Sequence, residues 1–313
     1  MMSGGDRRVG GRRPVLLTGI PRSGTTWVGR ILTVSGELGY INEPFNLSVS
    51  PGSFRVPAEH WYTYVSEENE GQFLPALARA LAFEYPLARE LRRCRNRVDL
   101  DHTLRSWRSF ARSRGRRPLV KEPHAVFSAA WFARRLESDI VVMVRSPLAV
   151  VSSWKRLGWD VDFAHLLEQP LLMRDWLGPF ESEMHAALSP SWQLIDRVAL
   201  LWRVIYSVVS DRRFPKACLL RHEDLSRDPS DGYRRLYGTL GLTFTPRVID
   251  AVRASSSSEN LSETTVEQPH ETHLDSRSNL DNWRHRLERD EIARIRRTTE
   301  ETAALYYSDL SWS

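Results

Sequence analysis

LTGIPRSGTTWVGRIL, residues 17–32, decides how the rest of the chain is read. Residues 14–20 form a short apolar run with β-branched side chains that closes near a glycine, which predicts a buried strand. Trp27, Val28, Ile31 and Leu32 then recur at helical spacing. Strand, glycine-bearing turn and helix open an α/β unit. Within the turn, Gly19 and Gly24 keep the spacing of a nucleotide-triphosphate loop, G-x4-G-K-[ST], but Thr25 stands in the lysine's place and Thr26 follows. The positive charge has moved to Arg22. Backbone N–H groups and a helix N-terminus remain to hold a phosphate. The side chain that reaches an outer phosphate is gone.

Moving outward, three more strands are expected at 118–121, 138–147 and 216–225, the second of them the strongest. Helix-like patterns follow the first two, AVFSAAWFARRL and LAVVSSWKRL, and long helices are expected at 74–93 and 193–213. Strands alternating with helices predict an α/β three-layer sandwich of the P-loop type, a central parallel sheet flanked by helices. Ligands of such sheets sit beyond the carboxyl ends of the strands. Arg22, Lys121, Arg145 and Arg221 all fall there. One domain is expected over 14–313 behind a disordered basic tail, 1–13, with 156–192 as an insertion and 254–282 as a long polar loop.

PRSGTTW at 21–27 resembles the loop of the sulfotransferases that use 3′-phosphoadenosine 5′-phosphosulfate (PAPS). A sulfuryl group carries less charge than a terminal phosphoryl and needs no metal, which accounts for the missing lysine. The resemblance implies cofactor contacts from Arg22, Ser23, Gly24, Thr25, Thr26 and Trp27. The family's second signature, an Arg ending a strand and a Ser eight residues on, is met by Arg145 and Ser153, which implies a hold on the 3′-phosphate. LRHEDLSRDP at 220–229 is similar to the family's R-Y-E-D-L-x-x-D-P, with His222 in place of the tyrosine that lies against adenine. SRSNLDNWRHRL at 276–287 resembles a C-terminal loop of bacterial and carbohydrate sulfotransferases and offers Arg277 to the 3′-phosphate.

Sulfuryl transfer needs a base for the acceptor proton and positive charge for the leaving oxygen. The histidine of phenol and steroid sulfotransferases, in K-x-H-x-P, is absent: Pro123 stands two after Lys121 in VKEPH. Tyrosylprotein and several carbohydrate sulfotransferases instead use a glutamate soon after the loop helix and a K-[DE]-P segment. Glu43, 21 residues after Arg22, is the candidate base, and Lys121, with Arg22, the candidate for the leaving group. His124 is the runner-up base and Glu122 ranks below it. The resemblance therefore implies a hydroxylated acceptor, best a carbohydrate or glycolipid, with a peptide tyrosine or a small natural product as the alternative. Eleven tryptophans, among them Trp61, Trp159, Trp176 and Trp192, could wall the acceptor site, with 156–192 as its lid.

The formal charge of +5 suits an anionic partner, but residues 1–13 supply +3 of it, and no nucleic-acid motif occurs. A nucleic-acid binder is therefore disfavoured, as is a P-loop kinase, which lacks its lysine here. Apolar runs such as 140–144 fall far short of the roughly 20 residues of a membrane span. The two cysteines, Cys94 and Cys218, form no disulfide framework or metal spacing, and the expected compartment is the cytoplasm.

Overall fold

Alternation of side chains builds two cores on opposite faces of one parallel sheet. The protein is represented by a computed structural model that describes residues 12–48, 51–257, 280–308 and 312. Its strands are β1 (Val15–Gly19), β2 (Leu38–Asn42), β3 (Arg117–Lys121), β4 (Asp139–Val144) and β5 (Ala217–Arg221), hydrogen-bonded in the order β2-β3-β1-β4-β5. Every neighbouring pair is parallel, with Leu17 level with Lys121 on one side and Val141 on the other. Leu16, Ile41, Val120, Ile140, Val142 and Val144 face one core, while Val15, Leu17, Leu38, Leu119, Val141 and Met143 face the other. The two-residue period of a strand imposes that division.

Helices cover both faces, giving the three layers expected. In chain order they are α1 (Thr25–Leu32), α2 (Glu70–Leu81), α3 (Leu87–Leu91), α4 (Arg97–Ser113), α5 (Ala129–Arg135) and α6 (Pro147–Leu157). After the short α7 (Ala164–Leu167), α8 (Pro170–Leu172) and α9 (Glu181–Ala187) come α10 (Leu194–Ser210), α11 (His222–Arg227), α12 (Pro229–Thr239), α13 (Pro246–Ser256) and α14 (Arg289–Ala304). α1, α12 and α13 cover one face through Val28, Tyr233, Tyr237 and Val248. α6, α10 and α14 pack on the other through Val150, Leu200, Trp202 and Ile295. α10 is apolar almost all round because it is enclosed between α6 and α14.

Several sequence expectations need correction. Residues 74–93 are two helices, because Phe83 adopts a left-handed φ of 54° and Pro86 precedes α3. The helix expected at 125–136 starts as a 3-10 turn, Pro123–Ser128, before α5. β2 escaped notice since five residues, LGYIN, are too few to display a period. The 254–282 loop begins as helix, α13 running to Ser256, and its stretch 258–279, with Arg277, lies outside the described residues.

Strand order reverses at β1: the chain leaves it for β2 on one side and later returns to β4 on the other. That switch point opens a crevice beyond Gly19, between the ends of β3 and β4.

Candidate active site

Two glycines shape the turn beyond β1. A β-carbon on Gly19, at φ 137°, would sit 2.4 Å from the Met143 carbonyl oxygen of β4. Gly24, at φ 103°, caps α1, and a β-carbon there would meet His222 Nδ1 at 2.7 Å. Between them Ser23 N–H donates to the Ile20 carbonyl at 3.1 Å and Arg22 takes a left-handed φ of 74°. The first-turn N–H groups of α1 have no acceptor within the helix, and no acidic side chain stands in that turn. Arg22 and residues 24–27 border a cavity of ≈ 550 Å³. An anion is the species this end of the cavity favours.

Cations converge on the same end. Arg22 Nε donates to Ser153 Oγ at 3.1 Å, and Arg145 Nη1 donates to the Arg22 carbonyl at 2.8 Å. Burial, then the neighbouring Arg145 and Arg156, brings Arg22 down to about 10, still protonated at neutral pH. Burial also lowers Arg145, against the pull of Glu223. Glu223 is held in turn by Ser146 N–H at 2.9 Å and the Tyr307 hydroxyl at 2.8 Å. Arg145 Nε is buried without a hydrogen-bond partner among the described residues. The same holds for both ring nitrogens of His222, a buried side chain that borders the cavity. Burial, then Arg145 and Arg22, pushes this imidazole well below its ordinary range, so it is neutral at pH 7. Trp27 meets His222 edge-on at 6.0 Å and Tyr233 at 5.4 Å, and its Nε1 donates to Ser255 Oγ at 2.9 Å. Buried polar atoms without partners are costly, so a polar ligand fits here.

A carboxylate stands at the other end. Glu43, just past β2, has φ 44° although Pro44 follows it, a conformation rarely populated before proline. Glu43 N–H donates to the Lys121 carbonyl at 2.8 Å, Asn46 N–H donates to the Glu43 carbonyl at 3.1 Å, and Lys121 Nζ forms an ion pair with Glu43 Oε1. Burial raises the Glu43 carboxyl, but Lys121, Asn46 and His124 together outweigh it and hold it below its ordinary value. It is ionised at neutral pH. Glu43 borders the cavity, whereas Lys121, only 2% exposed, lies behind it.

Glu122 points inward and is fully buried. Its Oε2 accepts from Phe45 N–H at 2.8 Å and its Oε1 from His124 N–H at 3.1 Å, with His124 Nδ1 also 3.1 Å from Oε1. It pins the Glu43 turn to the end of β3. His124 borders the cavity between the rings of Trp61, at 4.7 Å, and Tyr62, at 5.1 Å.

The family model described as "Sulfotransferase domain" matches residues 12–306. The chain belongs to that family. It is an enzyme, a PAPS-dependent sulfotransferase, and the family's donor is PAPS. No curated protein matches the sequence. Among solved structures, the sulfotransferase domain from the curacin biosynthetic pathway is 13% identical, with a TM-score of 0.47 over 93% of this chain and 98% of that one. A sulfotransferase from Mycobacterium avium is 13% identical, with a TM-score of 0.43 over 96% and 78%. A mouse sulfotransferase complexed with PAP is 13% identical, with a TM-score of 0.40 over 95% and 85%.

The sulfotransferase cavity gathers Arg22, Gly24, Thr25, Thr26, Trp27, Arg145 and His222 at one end and Glu43 and His124 at the other. Ser23 does not border it: its side chain is fully buried beneath the loop. Ser153 is reached through Arg22. Of the tryptophans singled out, Trp61 and Trp159 line the cavity, while Trp176 is buried under Arg213, with the guanidinium 4.6 Å from its ring. Trp192 packs against the core. Sequence reading missed Trp154, whose Nε1 donates to the Pro21 carbonyl at 3.1 Å, and Glu223, although Glu223 sits inside the LRHEDL run. Asn46 was also missed, and only its closeness to Glu43 in the chain could have signalled it.

Proposed function

We propose that this enzyme transfers the sulfuryl group of PAPS to a hydroxyl of a carbohydrate or glycolipid, with Glu43 as the base. The reading rests on one observation: an ionised carboxylate, Glu43, borders the cavity that the phosphate loop opens into and shares a buried ion pair with Lys121.

PAPS supplies the sulfuryl group and leaves as the adenosine bisphosphate. Arg22 and the N–H groups of residues 24–27 would hold its 5′ side, and Arg145 with Ser153 its 3′-phosphate. The partnerless Arg145 Nε and His222 nitrogens supply donors and acceptors for it, with His222 and Trp27 facing the base. Arg277 remains a proposed phosphate contact from outside the described residues. Glu43 accepts the acceptor's hydroxyl proton. Once neutralised, Glu43 releases its hold on Lys121, whose backbone pairs with Leu17 of β1, two residues before Gly19, and its ammonium is then free to turn toward the leaving oxygen. A flexible point charge suits that task.

We also read 14–313 as one domain and 156–192 as the segment that shapes the acceptor end, since Trp159, Asp160, Asp162 and His165 come from it. Rings of Trp61, Tyr62, Trp154 and Trp159 suit a sugar face. A peptide tyrosine or a small natural product is the alternative acceptor. Free, partly buried cysteines agree with a cytoplasmic setting. A second reading of the base is favoured by His124, whose Nδ1 faces Glu122 Oε1 while its ring borders the cavity.

The test measures labelled sulfate transfer to a panel of glycans, glycolipids, tyrosyl peptides and phenols, beside calorimetric binding of adenosine 3′,5′-bisphosphate. Glu43→Gln should bind the bisphosphate normally and lose turnover about 10²–10⁴-fold. Full turnover in Glu43→Gln with loss in His124→Asn would move the base to His124.

A further inference from the structure

The near-neutral net charge of the folded part conceals a polarised surface. Residues 89–116 hold ten arginines against Glu90, Asp99 and Asp101, a net charge of +7 in a chain whose total is +5. Arg93 is half-buried beside buried Glu90, at 3.4 Å, while the other nine arginines are exposed. This charge belongs to α3, α4 and their connections.

α4 carries two apolar faces where one would suffice. Its inner face, Thr103, Phe110 and Ser113, is buried, and Phe110 stacks on Phe54 at 5.5 Å. A second stripe, exposed Leu100, Trp107 and Ala111 with half-buried Leu104, repeats at helical spacing beside it, with Arg105, Arg108 and Arg112 alongside. Trp107 is 37% exposed and Leu100 39%. Leu91, at the end of α3, is 39% exposed. Scattered exposed side chains are ordinary, but an apolar stripe flanked by arginines on one helix has a physical partner.

We propose that the outer face of α4, with the α3–α4 connection, docks on an anionic lipid surface. Arginines answer the headgroup charge while Trp107 and Leu100 enter the interface. A second copy of the chain would bring the same +7 face against itself and be repelled. Nucleic acid would take the arginines but leave the apolar stripe uncompensated. Among the described residues no helix is long and apolar enough to cross a membrane, so this contact lies on the surface.

α4 leads through 114–116 to the amino end of β3, so its first turn lies roughly 24 Å back toward the carboxyl ends of the strands. His102 Nδ1 lies 2.7 Å from the Pro51 carbonyl, a few residues beyond Ser48 at the cavity rim. An acceptor hydroxyl carried on a lipid would meet the enzyme at this height.

The experiment floats the full chain with vesicles of phosphatidylcholine, alone or mixed with phosphatidylglycerol, over a range of salt. Binding should require phosphatidylglycerol and weaken with salt. R105E/R108E/R112E should lower partitioning on the order of 100-fold, at about 1 kcal/mol for each basic residue, while adenosine 3′,5′-bisphosphate binding stays unchanged. W107A should weaken binding by a part that salt does not remove. The proposal fails if anionic vesicles do not bind, if the triple variant binds them as well as the parent, or if competing duplex DNA or RNA strips the chain from them. None of these readouts depends on sulfuryl transfer.

Discussion

Glu43 and Lys121 form a buried ion pair across the ends of β2 and β3, and their backbones are joined as well, Glu43 N–H donating to the Lys121 carbonyl at 2.8 Å. The carboxylate faces the cavity and the ammonium lies behind it, so each is the other's main solvent. Such a pair is weak evidence for stability, but losing one member leaves a charge without compensation.

Lys121→Met therefore has two expected effects. Turnover falls at least about 10²-fold, as for loss of a charge aimed at a leaving oxygen. Burial, the largest influence on Glu43, then acts unopposed by Lys121 and raises its carboxyl. In the parent the Glu43 carboxyl lies below its ordinary value of 4.5, so the carboxylate persists until the pH falls beneath that point. In Lys121→Met the acid limb of residual activity should move up in pH. A pH–rate profile of the variant that overlays the parent's would remove Lys121 from the control of Glu43.

Glu122 separates structure from chemistry at the same strand end. Its carboxylate accepts from Phe45 N–H and His124 N–H, so it holds the Glu43 turn and the His124 backbone to the end of β3. Glu122→Gln replaces one acceptor oxygen by a donor facing a buried N–H, and should cost about 1–3 kcal/mol of stability. Thermal unfolding checks this, with adenosine 3′,5′-bisphosphate binding expected to survive below the lowered Tm.

The sheet was legible because residues 15–17 and 140–144 are buried on both faces and so read as continuous apolar runs. The cofactor end was legible for a related reason: a backbone cradle needs glycines at fixed places, and Gly19 and Gly24 have no room for a β-carbon. β2 was not, since its five residues gain their strand character from β3 beside them. Long-range packing also hid which tryptophans face the cavity. Trp61 and Trp176 look alike in sequence, yet one borders His124 and the other lies beneath Arg213. The role of Arg22 as the link between Arg145 and Ser153 joins three separate segments, and no local pattern contains it.

His222 predicts how stability follows pH. Its folded imidazole lies well below the ordinary 6.5, so the unfolded chain takes up a proton that the native state refuses. Stability is therefore lost as pH falls from the unfolded value toward the folded one, at up to about 1.4 kcal/mol per pH unit. His222→Tyr restores the residue type of the family pattern and removes this proton. Denaturant unfolding at a series of pH values below 6.5 should give a shallower decline in the variant. Equal slopes would mean that His222 is protonated in the native state, against its burial between Arg22 and Arg145.

Gly24 carries the last prediction, because two independent constraints meet there. Its φ of 103° is one that side-chain-bearing residues rarely adopt, and an added methyl would stand 2.7 Å from His222 Nδ1. Gly24→Ala must turn the α1 cap or displace the imidazole, and either movement disturbs the N–H groups of the loop and the ring opposite Trp27. Strain of this kind costs about 1–3 kcal/mol, too little to unfold most domains. Adenosine 3′,5′-bisphosphate affinity should fall at least tenfold while the fold persists by circular dichroism. The comparison variant is Gly36→Ala, also at positive φ (82°) but with no atom near its β-carbon and no place in the cavity. It should bear its own backbone strain and bind the bisphosphate as the parent does. If both variants bind normally, the loop does not hold phosphate through its backbone.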